Sequence, residues 1–128
     1  MSKHETPLTK KYWKTVGGTL VLEFPAVRKR KGDNHGKRLL DGVIVLGGEK
    51  KMAKSVEVDI EGKDIIVIQT KANRLGMYLL GQAVFSRQLM KPFKPRSIRS
   101  VAICTKGDDV LEPLASEFGI EVVVYESD

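Results

Sequence analysis

Four polar side chains interrupt strands that are otherwise apolar, and their types could do chemistry together. Glu23 sits between Leu22 and Phe24. Asp41 sits between Leu40 and Gly42, just ahead of Val43-Ile44-Val45. Gln69 and Lys71 close the run Ile65-Ile66-Val67-Ile68. A strand has a period of two, so Gln69 and Lys71 share one face. Burying such groups without partners is costly, so a strand ending this way either emerges into solvent or presents a site. Two carboxylates and an amide oxygen are hard donors, suited to Mg²⁺ or Mn²⁺ rather than zinc. A nearby ammonium can orient a water or stabilise charge developing on a phosphate. Together these are the parts of a metal-dependent phosphodiester hydrolysis site. Each residue also has a local account. Lys71 can snorkel to water, Asp41 can cap a turn with Gly42, and Glu23 can pair with a surface lysine.

The elements that must position these groups follow from patterning. Thr6 as N-cap and Pro7 at the first position open a helix ending at Gly17-Gly18, with a stripe of Leu8, Tyr12, Trp13 and Val16. Residues 19–27 read as a strand, with Pro25 marking an edge, bend or bulge. Residues 28–38 lack an apolar period and form a loop. Residues 39–46 are a second strand, closed by Gly47-Gly48. Ser55 to Ile60 alternates apolar and acidic residues and is expected to be a strand, hairpin partner of 65–71 across the turn 61–64. Asn73 is the expected N-cap of a helix from Arg74 to Lys91, stopped by Pro92. A strand at 98–104, a short helix starting at Asp108-Asp109 with Pro113 in its first turn or so, and a strand at 120–125 complete the chain. The alternating second half implies parallel strands with right-handed crossovers, an α/β fold.

Over nearly its whole length this arrangement resembles the PD-(D/E)XK nuclease superfamily, the restriction-endonuclease-like fold. That pattern has an early acid, an Asp on one strand, then Glu, Asp or Gln two residues before a Lys on the next. Here these are Glu23, Asp41 and Gln69-Thr70-Lys71. The resemblance implies an α-β-β-β-α-β core, a central mixed sheet flanked by helices, with strand 55–60 as an addition. It implies metal binding by Asp41, Glu23 and Gln69, with Lys71 positioning the attacking water. The pre-lysine residue is Gln rather than the commoner acid, as in some homing and resolvase-like members, and Leu40 replaces the Pro before the Asp. The helix after the motif carries Gln82, Ser86 and Arg87. Gln82 and Arg87 are candidate supporting residues.

Composition bounds the rest. The chain of 128 residues suits one domain, 1–128, with 41% hydrophobic and 30% charged residues. No apolar run approaches the roughly 18–20 residues of a membrane span. No secretory signal is evident, and the lone Cys104 lies in an apolar run, so a reducing cytoplasm is expected. Twenty-two Lys and Arg against 16 Asp and Glu give a net charge of +6, which favours an anionic partner, nucleic acid first. Arg28, Lys29, Arg30, Lys31, Lys37 and Arg38 form a candidate clamp for DNA phosphates, extended by Arg74, Lys91, Lys94, Arg96 and Arg99. His35 is expected to be exposed or a phosphate contact. Two histidines and one cysteine far apart argue against zinc. The expected function is a Mg²⁺- or Mn²⁺-dependent deoxyribonuclease acting on DNA as a homodimer or higher homo-oligomer. The alternatives are an inactive nuclease fold serving as a DNA-binding or assembly module, and an α/β interaction protein whose polar strand residues are structural.

Overall fold

The computed structural model describes residues 3–126. Helix α1 (Glu5–Val16) leads into β1 (Thr19–Val27) and β2 (Arg38–Val45), joined by the basic loop 28–37. After β3 (Lys51–Met52) come β4 (Asp64–Arg74), α2 (Met77–Met90), β5 (Ser97–Lys106), α3 (Leu111–Glu117) and β6 (Ile120–Val124). The strands form one mixed sheet of six in the order β3-β1-β2-β4-β5-β6. β1, β2 and β4 are an antiparallel meander; β5 joins β4, and β6 joins β5, in parallel. The protein is an α/β fold with a mixed sheet and, among the described residues, three α-helices.

Alternation along the central strands sorts the core into two faces. Ile66 and Ile68 pack with Ile44, Val101, Ile103 and the Tyr12 of α1. Ile65 and Val67 pack with Val43, Val45 and the Met90 of α2. On that second face, Leu79 and Ala83 of α2 meet Ala102 and Cys104, with Ala115 of α3 and Ile120. The sheet is therefore a layer between α1 and the pair α2 and α3, and β4 at its centre is buried on both sides from Ile65 to Thr70.

Four expectations fail for local reasons. Residues 55–60 are not a strand: Ser55–Glu57 is a short 3-10 turn. Glu57 Oε1 accepts from the Lys54 amide at 2.8 Å, and Asp59 Oδ1 accepts from the Glu61 amide at 3.1 Å. The acids of the alternating pattern thus satisfy nearby backbone instead of facing solvent from a ladder. The antiparallel neighbour of β4 is β2, not 55–60. The α2 helix starts at Met77 behind Gly76, because β4 runs on to Arg74, with Arg74 paired to Lys106. Helix α1 starts at Glu5 with His4 as N-cap, two residues ahead of the expected Thr6 cap. Helix α3 starts at Leu111; Asp108 Oδ1 accepts from the amides of Val110 and Leu111, both at 3.0 Å.

Candidate functional site

The meander opens at its C-terminal side. Pairing of β2 with β4 ends at Gly42↔Ile68, whereas β4 and β5 stay paired through Lys71↔Cys104. The next residue of β2, Asp41, fills the gap with its side chain. Its Oδ2 accepts a hydrogen bond from the backbone N–H of Thr70 at 2.8 Å. Thr70 is the middle residue of Gln69-Thr70-Lys71, so Asp41 docks on the motif itself.

Both strand acids sit where the pleat breaks. Along β1, Val21 and Phe24 lie in one cluster, and along β2 so do Leu40 and Val43. Residues three apart share a face only if alternation slips between them. The slip falls at Glu23 and Asp41, between the pairs Leu22↔Gly42 and Phe24↔Leu40. Glu23 takes φ 49°, a left-handed conformation that non-glycine residues rarely adopt.

Electrostatics ties these acids together. The Asp41 pKa is raised, first by burial and then by the negative charges of Glu5 and Glu23, against the opposing effect of the Thr70 N–H. Glu5 lies in the first turn of α1. It was not among the expected site residues, because the Thr6-Pro7 signal placed the helix start after it. The same helix holds the other side of Thr70: Thr9 Oγ1 and Thr70 Oγ1 are 2.8 Å apart and buried. Gly42 belongs to this packing too, since a Cβ there would stand 3.2 Å from Thr9 Cγ2 and 3.4 Å from Leu20 Cδ1.

Gln69 turns to the opposite face of the sheet. Its Nε2 donates to Ser86 Oγ of α2 at 2.6 Å, and Ser86 donates to the Gln82 carbonyl at 2.6 Å. With its proton committed, Ser86 can only accept from Gln69. The amide nitrogen is thereby fixed on Ser86, and Oε1 is the end left for the cavity that Gln69 lines. That cavity, about 640 Å³, is walled by β2 residues including Arg38 and by α2 residues including Tyr78, Gln82 and Phe85. Lys71 is exposed on β4, three residues before the strand ends at Arg74, and makes no ion pair among the described residues.

Arg28, Lys29, Arg30, Lys31, Lys37 and Arg38 are all exposed. Asp33 shapes their loop: its Oδ2 accepts from the Arg30 amide at 2.9 Å and its carbonyl from Lys29 Nζ at 2.8 Å. Lys37 and Arg38 line the Gln69 cavity, whereas Arg28 lines a different one beside Phe24 and Phe93. His35 is exposed, 3.6 Å from Asp33 Oδ2. Arg87 lies elsewhere, donating to the Phe118 carbonyl at 2.7 Å and the Gly119 carbonyl at 3.2 Å, where it fastens α2 to the end of α3. Arg96 and Arg99 pair with Asp64 and Glu121.

Among the described residues, no three of His, Cys, Asp and Glu are gathered closely enough to enclose a metal ion. The oxygen donors at the end of β4 are the Asp41 carboxylate and the Gln69 amide, with Glu5 and Glu23 in electrostatic reach of Asp41. Comparison of the chain with protein-family models, with curated proteins and with solved structures gave no match.

Proposed function

We propose that this protein is a divalent-metal-dependent nuclease that hydrolyses DNA phosphodiester bonds, built on a restriction-endonuclease-like core. One observation carries the reading: the Asp41 carboxylate is docked on the amide between Gln69 and Lys71, and burial with two further negative charges opposes its ionisation. A half-buried acid in that setting is suited to a cation, which relieves both penalties at once. The order α1, β1, β2, β4, α2, β5 supports the same reading, since it supplies the α-β-β-β-α-β sequence of elements.

Mg²⁺ keeps several waters and needs only one or two carboxylates from the protein. Asp41, with Glu23 or Glu5 beside it, fits that limited demand, while the Gln69 amide, turned to the α2 face of the sheet, stands apart from them. Ser86 keeps the Gln69 amide turned so that its oxygen, not its nitrogen, is offered to the cavity. A divalent ion bound at Asp41 supplies Lewis acidity toward the phosphate and lowers the pKa of a water. Lys71, exposed on β4, positions the attacking water and offsets charge on the phosphate. Lys37 and Arg38 hold neighbouring phosphates at the cavity wall. A reducing cytoplasm belongs to this proposal, since Cys104 is buried and free.

The test is Mg²⁺ and Mn²⁺ titration followed by calorimetry, alongside cleavage of linear, branched and single-stranded DNA. Binding and cleavage are expected, with both lost in Asp41→Asn and cleavage alone lost in Lys71→Ala. Cleavage undiminished in both variants would overturn the assignment. One observation favours a second reading, a DNA-binding module without catalysis: the residue two before Lys71, Gln69, is a neutral amide already bonded to Ser86. Salt-dependent DNA binding with no metal uptake and no cleavage would select it.

A further inference from the structure

Gly81 lies in the second turn of α2, inside the helix, where glycine costs about 1 kcal/mol relative to alanine. Nothing inside the chain calls for it. A Cβ at position 81 meets no atom within 4 Å, and no positive φ is recorded there. The missing side chain instead leaves a notch on the outer face of the helix. One turn before the notch is Met77 and one turn after it is Phe85, at spacings that put all three on one line. Met77 is 78% exposed, Phe85 68% and the adjacent Tyr78 80%. The apolar surface continues across a groove of about 340 Å³ onto α3, where Leu114 is 45% and Phe118 61% exposed.

We infer that this face is the interface of a two-fold homodimer, with α2 of one copy crossing α2 of another at Gly81. Three observations select a second copy as the occupant. The stripe Met77–Gly81–Phe85 is symmetric about its centre. A two-fold axis through Gly81 sets glycine on glycine and brings Met77 of each copy against Phe85 of the other, as an isologous contact requires. A thioether against an aromatic ring is itself favourable.

The area also fits. The five exposed side chains offer on the order of 600 Å², taking roughly 150–250 Å² for a whole aromatic side chain. That reaches the upper end for a monomer's largest patch, roughly 300–600 Å². It approaches the ~800 Å² per partner of a standard interface.

The patch lacks charge as well. The groove lining has no Lys, Arg, Asp or Glu, and the nearby Arg87 is engaged by the carbonyls of Phe118 and Gly119. A nucleic acid or an acidic peptide finds no counter-charge in that groove; the cations lie on the other side of the stripe, where Lys37 and Arg38 line the Gln69 cavity with Met77, Tyr78, Gly81 and Phe85. The inference is tested apart from the nuclease reading, because its readout is mass rather than cleavage, although Met77, Tyr78 and Phe85 also wall the Gln69 cavity.

Because area does not fix affinity, sedimentation of the full chain is run as a concentration series, whose upper end is expected to give twice the monomer mass. Phe85→Glu should return the monomer. Gly81→Leu should weaken association at least tenfold while leaving thermal stability of the monomer equal or higher, since the site is open in one copy and leucine is the better helix former. Gly81→Cys should form an interchain disulfide on mild oxidation, which needs the two Cα atoms within about 7 Å. Cys104, the sole native cysteine, is buried and does not compete. A monomer at every concentration would overturn the inference. So would a dimer unchanged by both Phe85→Glu and Gly81→Leu, or the absence of a Gly81→Cys crosslink in a dimeric sample.

Discussion

Burial raises the pKa of Asp41, and the charges of Glu5 and Glu23 raise it further. The folded state therefore holds a proton on this carboxyl more tightly than the unfolded chain does. Above the folded pKa the acid is ionised in both states and the penalty on folding is complete. As pH falls through the folded pKa toward the ordinary value of 3.8, the penalty disappears. Asp41→Asn keeps an oxygen that can accept the Thr70 N–H and removes the charge. Its melting temperature should exceed that of the parent at pH 7, with the gain vanishing below about pH 4. Mg²⁺ should stabilise the parent and not the variant. If the variant is instead destabilised equally at both pH values, Asp41 is only a backbone cap. The site was partly legible at this scale. Asp41 and Gln69 announce themselves as polar residues inside apolar runs. Glu5 does not, because an acid in a first helical turn is ordinary, and only the fold brings it to Asp41.

Between strands, the informative feature is the paired slip of β1 and β2 at Glu23 and Asp41. A slip in both strands at once preserves the register while changing which face each side chain meets. It leaves Glu23 in a conformation that costs a non-glycine residue about 1–2 kcal/mol. Glycine takes that conformation freely and alanine does not. Glu23→Gly should therefore be more stable than Glu23→Ala by about 1 kcal/mol in urea denaturation, although in a regular strand the order is reversed. Alanine above glycine would show that the slip is absent in solution. Patterning gave little warning of this feature, since nothing in Leu22-Glu23-Phe24 distinguishes a left-handed residue from an exposed one. It did locate the bulge near Pro25, which falls between Pro25 and Val27. The strand expected at 55–60 failed for a related reason. Alternation shows which residues could face water, but not whether a partner strand has a free edge, and both edges of β4 are taken by β2 and β5.

Across the whole molecule, positive charge is uneven. Residues 28–38 hold six Lys and Arg with Asp33 as their one acid, nearly the entire excess of the chain. That concentration was visible in the sequence, but its position was not. The fold divides it, leaving Lys37 and Arg38 on the wall of the Gln69 cavity and Arg28 to Lys31 further out along the loop. If these residues contact DNA phosphates, each releases counterions, and the logarithm of the binding constant falls with the logarithm of salt by about 0.9 per contact on duplex DNA. Replacing Lys37 and Arg38 together by alanine should flatten that slope by about 1.8 and weaken binding alike on unrelated sequences. Replacing Lys29 and Lys31 tests the outer loop in the same way. Fluorescence anisotropy across a salt series reads both. A slope unchanged by the first pair would detach the cavity, and Gln69 with it, from the DNA path. A slope changed by the first pair but not the second would confine the nucleic acid to the cavity side of the loop, which is the side that Gln69 lines.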